Sequence, residues 1–262
     1  MDKTKVISIQ SGRILFAIAF FAFGIEQCIV SDFIAGFILP LSPDIPGRLA
    51  WSILSGLVLI LAAVVIIIPK RPRLVIALAG LSILIWPGLR HLVLLVAQPS
   101  SGGVWIWLGK SLAFSGCAFI VAASFPEEMR PAGGFTRFVQ FLYRLLPAGP
   151  AFIGIFMIIC GIFHFLYGPG VATLVPDWIP GRLFWTYFAA VALIAGGAGL
   201  IFNIWKRLAA LLSCIMIFIW ALILHAPRAL SMHSGNETTS FFQTLALTGA
   251  LLVLSRILKE KV

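Results

Sequence analysis

"LAWSILSGLVLILAAVVIII", residues 49 to 68, is a run of twenty residues without a charge, and its reading decides the fold. A helix rises about 1.5 Å per residue, so a run of this length covers the roughly 30 Å of a bilayer's hydrocarbon core. The rest of the 262-residue chain is of the same kind: 61% of it is hydrophobic, 11% is charged, and the mean hydropathy is +1.07. Soluble domains are about half apolar and a quarter charged. Eight such runs are predicted as spans, at 14–34, 49–68, 74–96, 104–124, 151–168, 183–203, 208–225 and 240–257. The expectation is an all-α polytopic membrane protein, because open strands would leave backbone groups unpaired in lipid. The short alternating segments of a barrel are not found.

The run is entered through "PDIPGR" (43–48), and "PDWIPGR" (176–182) stands in the same way before the run at 183–203. Pro46 and Pro180 resist extension of a preceding helix and suit a first turn; the glycine that follows permits a tight backbone. Ile45-Pro46-Gly47-Arg48-Leu49 falls on Ile179-Pro180-Gly181-Arg182-Leu183 at an offset of 134, and the same offset pairs Trp51 with Trp185, Arg73 with Arg207, Trp86 with Trp220 and His91 with His225. "SLAFSG" (111–116) matches "TLALTG" (244–249) with one residue lost, and "GIEQ" (24–27) matches "GIFH" (161–164) after a three-residue gap. The sequence thus predicts two tandem four-helix bundles, 1–125 and 151–262. Four is even, so the units share an orientation, as a parallel repeat about an axis along the membrane normal. Between them, 126–150 is expected to hold a short amphipathic helix at the cytoplasmic interface. Its apolar face is Phe135, Phe138, Val139 and Leu142, opposite Arg137, Gln140 and Arg144.

Fourteen of the 19 lysines and arginines fall on the side of the two termini. The other side holds only Arg48, Arg90, Lys110, Arg182 and Arg228. By the positive-inside rule both termini are cytoplasmic, and the compartment expected is a bacterial inner membrane. The net charge of +10 then reports topology and contact with anionic headgroups, and no nucleic-acid partner is expected. The positive amino terminus has no small-residue cleavage site behind a short apolar core, so the first run is expected to stay as a helix. Cys28, Cys117, Cys160 and Cys214 lie within spans without a C-x-x-C spacing, which excludes a redox dithiol or covalent haem signature. No phosphate-cradling loop, nucleophile elbow, zincin motif or dinucleotide fingerprint occurs. "NET" (236–238) fits a glycosylation acceptor and carries little information.

Ionisable groups within spans are costly unless paired or set in a wet cavity, so they mark candidate sites. They gather toward the non-cytoplasmic side. One pocket is expected from Glu26, Gln27, Arg48, Arg90, His91 and Lys110, and a second from His164, Tyr167, Arg182, His225, Arg228 and Glu237, with Gln243 standing where Lys110 stands in the first unit. Arg48 and Arg182 also suit a plainer role, snorkelling beside the interfacial anchors Trp51 and Trp185. Neither His91 nor His225 has a second ligand three or four residues away, so no metal site is expected.

"RILFAIAFFAFGIEQ" (13–27) with the glycine-containing "LSGLVLILAAVVII" (54–67), and again "GIFHF" (161–165) with "VALIAGGAGLIF" (191–202), resembles the four-helix DoxX family in duplicated form. The resemblance covers nearly the whole chain. It implies kinship with the DoxD membrane subunits of thiosulfate:quinone oxidoreductase, and a four-helix plan shared with the EXPERA domains of sterol isomerases. The paired intramembrane acids of the latter are not matched here, since the first unit has Glu26 alone and His164 stands nearby in the second. No catalytic residue is carried over. Three functions follow as expectations. The first is a quinone-interacting membrane component of an oxidoreductase, with no covalently bound cofactor and with a redox partner protein supplying electrons. The second is binding or transport of a small amphipathic or anionic molecule by Arg48, Arg90, Lys110, Arg182 and Arg228. The third is a non-catalytic scaffold in which polar residues only pin helices.

Overall fold

The computed structural model describes residues 3–30, 46–67, 72–126, 135–232 and 235–258. Asp2, Asp32, Asp44, Lys70, Arg71, Glu127, Glu128, Arg130, His233, Lys259, Glu260 and Lys261 lie outside the described residues.

Among those described, every regular element is a helix, and eight helices are long and apolar enough to cross a membrane. In chain order they are α1 (Lys3–Val30), α2 (Arg48–Ile67), α3 (Pro72–Ala97), α4 (Gly102–Ala123), α6 (Gly149–Leu166), α8 (Arg182–Phe202), α9 (Lys206–Ser231) and α10 (Gly235–Ile257). Two short helices complete the set, α5 (Phe135–Leu145) and α7 (Gly168–Ala172). The chain is therefore an all-helical protein of membrane-spanning build. α1 starts eleven residues before the expected span, because "KTKVISIQSGR" is itself compatible with helix and simply extends below the apolar run.

The helices are placed by small residues rather than by apolar burial, since lipid is as apolar as a leucine side chain. At the crossing of α1 and α10, a Cβ on Gly12 would stand 2.6 Å from the Gly249 carbonyl oxygen; at the crossing of α4 and α6, a Cβ on Gly116 would stand 2.6 Å from that of Gly149. Only glycine allows backbones to approach so closely. α1 packs on α2 and α10, α6 on α8 and α4, and α4 touches α10. That places α4 and α10 at the centre: 67% and 61% of their apolar windows are buried, against 28–39% for the other six. Leu54, Leu57 and Leu61 leave one stripe of α2 exposed and wholly apolar, the face a lipid chain would cover.

Two positions need glycine for its backbone freedom. Gly47 has φ +72° and Gly181 φ +69°, each immediately before the first residue of a helix. Their carbonyls accept from Trp51 N–H (3.0 Å) and Trp185 N–H (3.2 Å). The twice-written phrase is thus a left-handed turn that starts a helix and sets an indole one turn in. α5 forms as expected, with Val139 and Leu142 buried, but Phe135 and Phe138 are 50% and 39% exposed. These rings turn away from the protein, as suits a helix whose aromatic side meets lipid.

At the end of the bundle where α1 begins, two arginines close the carboxyl end of α4. Arg13 donates to the Ser124 side chain (2.9 Å) and backbone carbonyl and lies 3.7 Å over the Phe125 ring. Arg73 donates to the Phe125 carbonyl (3.4 Å) and sits over Tyr143 of α5. Cations here meet the free carbonyls and negative dipole end of α4. We call this the basic end.

Candidate functional site

The polar residues lie toward the opposite end, and two widened turns place them. α3 contains a π-helical turn at Leu84–Gly88 and α9 one at Ala221–His225. Proline explains both: Pro87 lies within the first and Pro227 just after the second, and each removes an N–H and crowds the carbonyl four residues back. The second turn sits three residues later than the sequence offset of 134 would place it, so His225 ends its turn while His91 lies in the α-helix beyond its own.

His91 is fully buried. Its Nδ1 is 2.8 Å from Ser111 Oγ, and since the single Ser111 proton is given to the Trp107 carbonyl (3.0 Å), Nδ1–H is the donor. The ring also lies nearly parallel to Trp107, with centroids 6.4 Å apart. This histidine is satisfied within the protein. Gln27 is also fully buried; its Nε2 donates to the Ser52 carbonyl (2.8 Å), tying α1 to α2. Arg48 and Arg90 are part-buried and engaged.

Two residues expected in the first pocket are instead coupled to the second half of the chain. Glu26 on α1 accepts from Thr239 Oγ1 of α10 (2.7 Å). Lys110 on α4 lies within electrostatic range of Cys160 on α6 and of His225 on α9. Around His225 stand Glu237 and Arg228, and these two form a bidentate pair, Nη2 to Oε1 at 2.7 Å and Nε to Oε2 at 3.1 Å. His164 Nδ1 donates to the Cys160 carbonyl (2.7 Å), a contact that leaves Nε2 as an acceptor. Its ring is stacked on Trp220 at 6.3 Å. Glu26, Lys110, His164, His225, Arg228 and Glu237 thus form one belt across α1, α10, α9, α4 and α6. The belt crosses between the halves because α10 packs on α1, and α4 on α6, a pairing that alignment of the two units does not contain.

One atom of this belt is unsatisfied. His225 Nδ1 is shielded from solvent and has no hydrogen-bond partner among the described residues. Buried ring nitrogens are normally paired, so an orphan one amid charged side chains is where a ligand's polar group is most useful.

Tyr167 and Arg182 are not brought into the belt by any bond the structure shows. Tyr167 is 54% exposed, with its hydroxyl near the start of α4 at Gly102. Arg182 is exposed and pairs with Asp177 at 2.5 Å, closing its own loop. Trp220, Thr239, Ser111 and the Cys160 carbonyl were not singled out from sequence. Trp220 and Thr239 carry a weak signal, one turn before His225 and two residues after Glu237 respectively; nothing marks a backbone carbonyl. Among the described residues no three of His, Cys, Asp and Glu converge as a metal site. Compared with protein-family models, curated proteins and solved structures, the chain matches none.

Proposed function

We propose that this chain is a DoxX-like membrane component that holds the head group of a quinone-type amphipath at the His225 belt, and exchanges protons there while a redox partner protein supplies or removes electrons. The observation that carries the reading is the buried, unpartnered His225 Nδ1 among charged side chains. A quinone carbonyl accepts from an imidazole N–H or an ammonium, and histidine titrates in the range where a quinol proton must be handed on. His164 adds a flat ring stacked on Trp220 and an acceptor nitrogen. The chain contributes binding, orientation and proton handling; the electron chemistry belongs to the bound group and its partner.

The duplicated four-helix unit is part of the same proposal. It is supported by the left-handed Gly47 and Gly181, by the two π-helical turns, and by the glycine crossings. Gly12 meets Gly249 and Gly149 meets Gly116, while Gly24 meets Gly56 and Ile60 and Gly161 meets Ala190 and Ile194. These pairs follow the offsets read from sequence. With both termini at the basic end, the positive-inside rule puts the belt in the non-cytoplasmic half of a bacterial inner membrane.

Anion binding or transport has less support. Of its five cations, Arg182 and Arg228 already pair with carboxylates of the chain. The test is organic extraction of protein purified in mild detergent. Near-stoichiometric quinone from the unaltered protein, lost in His225→Ala, is expected. Quinone no higher than an unrelated membrane protein carries in the same detergent overturns the reading.

A further inference from the structure

The two histidines of the belt differ in what they can bond. His164 Nδ1 lies 2.7 Å from the Cys160 carbonyl, which can only accept, so the ring proton sits on Nδ1 and Nε2 carries a lone pair. No hydrogen bond engages that Nε2 among the described residues. Stacking on Trp220, at an interplanar angle of 17°, holds the ring in one orientation. His164 therefore offers its surroundings an acceptor and no donor.

The widened turn of α9 relates this ring to His225. Trp220 immediately precedes the turn and His225 ends it, five residues on. In an unbroken α-helix, at 3.6 residues per turn, that separation leaves two side chains about 140° apart around the axis. A π-helical turn closes from residue i to i+5 and brings them to nearly the same side. His164, stacked on Trp220, thus shares a side of α9 with His225, whose Nδ1 is buried without a partner.

A surplus acceptor also stands in the first half. Gln27 falls on His164 where "GIEQ" (24–27) matches "GIFH" (161–164). Its amide N–H is likewise spent on a backbone carbonyl, that of Ser52, and its Oε1 is buried with no partner among the described residues. Buried acceptors are normally paired, so two left open at matching places call for a group that donates.

We infer, resting on the quinone reading, that the belt selects the reduced, hydroxyl-bearing form of its ligand through an O–H donated to His164 Nε2. The chemistry of the two forms sets the direction. A benzoquinone head has carbonyl oxygens and no donor; it satisfies an N–H of His225 but meets His164 lone pair to lone pair. A quinol hydroxyl both donates and accepts, so the reduced head satisfies both rings. One hydrogen bond to a shielded acceptor corresponds to about tenfold in affinity.

Isothermal titration in mild detergent, with a decyl benzoquinone and with its quinol kept reduced under argon, reads the preference. The quinol should bind the unaltered protein about tenfold more tightly. His164→Phe keeps a ring to lie on Trp220 and removes the lone pair; it should bring the two forms to parity by weakening the quinol alone. If that variant does not fold, the dimethyl ether of the quinol decides on the unaltered protein, since its oxygens accept but cannot donate, and it should bind no more tightly than the quinone. Equal affinity of quinone and quinol, a preference that survives in His164→Phe, or an ether that binds as tightly as the quinol overturns the inference and leaves the quinone reading standing. Binding of neither form overturns both.

Discussion

His91 and His225 fall on each other in sequence and sit in opposite circumstances. His91 is sealed, its Nδ1 bonded to Ser111 and its ring on Trp107. His225 lies in the widened turn itself, its Nδ1 orphaned and its neighbours charged. The difference comes from a three-residue displacement of a π-helical turn, which swings the imidazole about the helix axis. Such turns recur at functional sites because they re-aim a side chain without breaking the helix. One histidine became part of the packing, and the other was left with bonding capacity to spare.

The comparison breaks most readily at His91. Replacing it by Ala removes a fully buried ring, and unfolding in detergent should lose about 3 kcal/mol, while quinone retention survives in whatever protein folds. His225→Ala should do the reverse, with unfolding shifted by less than about 1 kcal/mol and quinone affinity lowered at least roughly tenfold. Equal stability losses in the two variants would erase the distinction. A smaller effect tests whether the belt crosses the halves: Thr239→Val removes the hydroxyl that meets Glu26 and should cost about 1 kcal/mol, an amount that vanishes in a Glu26→Leu background, which lacks the acceptor, if the two act as a pair. Smallest of all, Arg182→Gln should change stability by less than about 0.5 kcal/mol, because its partner Asp177 is exposed and solvent screens the pair. A large loss of binding in that variant would return Arg182 to the site.

Much of this was legible beforehand. The eight spans, the amphipathic helix at Phe135–Leu145 and the two glycine turns were all expected, because each depends on residues close in sequence: an apolar run of span length, an amphipathic period, a proline followed by a glycine. Of the twelve candidate residues, the six that fall in the belt were legible as well. Their grouping was not. Lys110 and Glu26 were assigned to the first unit by position, whereas their partners Cys160, His225 and Thr239 belong to the second half.

Hydropathy by itself determined that the chain is helical and suited to a membrane, since lipid leaves a backbone few ways to satisfy its hydrogen bonds and the length of an apolar run is a local property. Tertiary structure alone decided which histidine is free and which carboxylate meets which helix. Those outcomes depend on glycine-to-carbonyl contacts between distant segments and on a shift of less than one helical turn, and neither is encoded in the periodicity of any one segment.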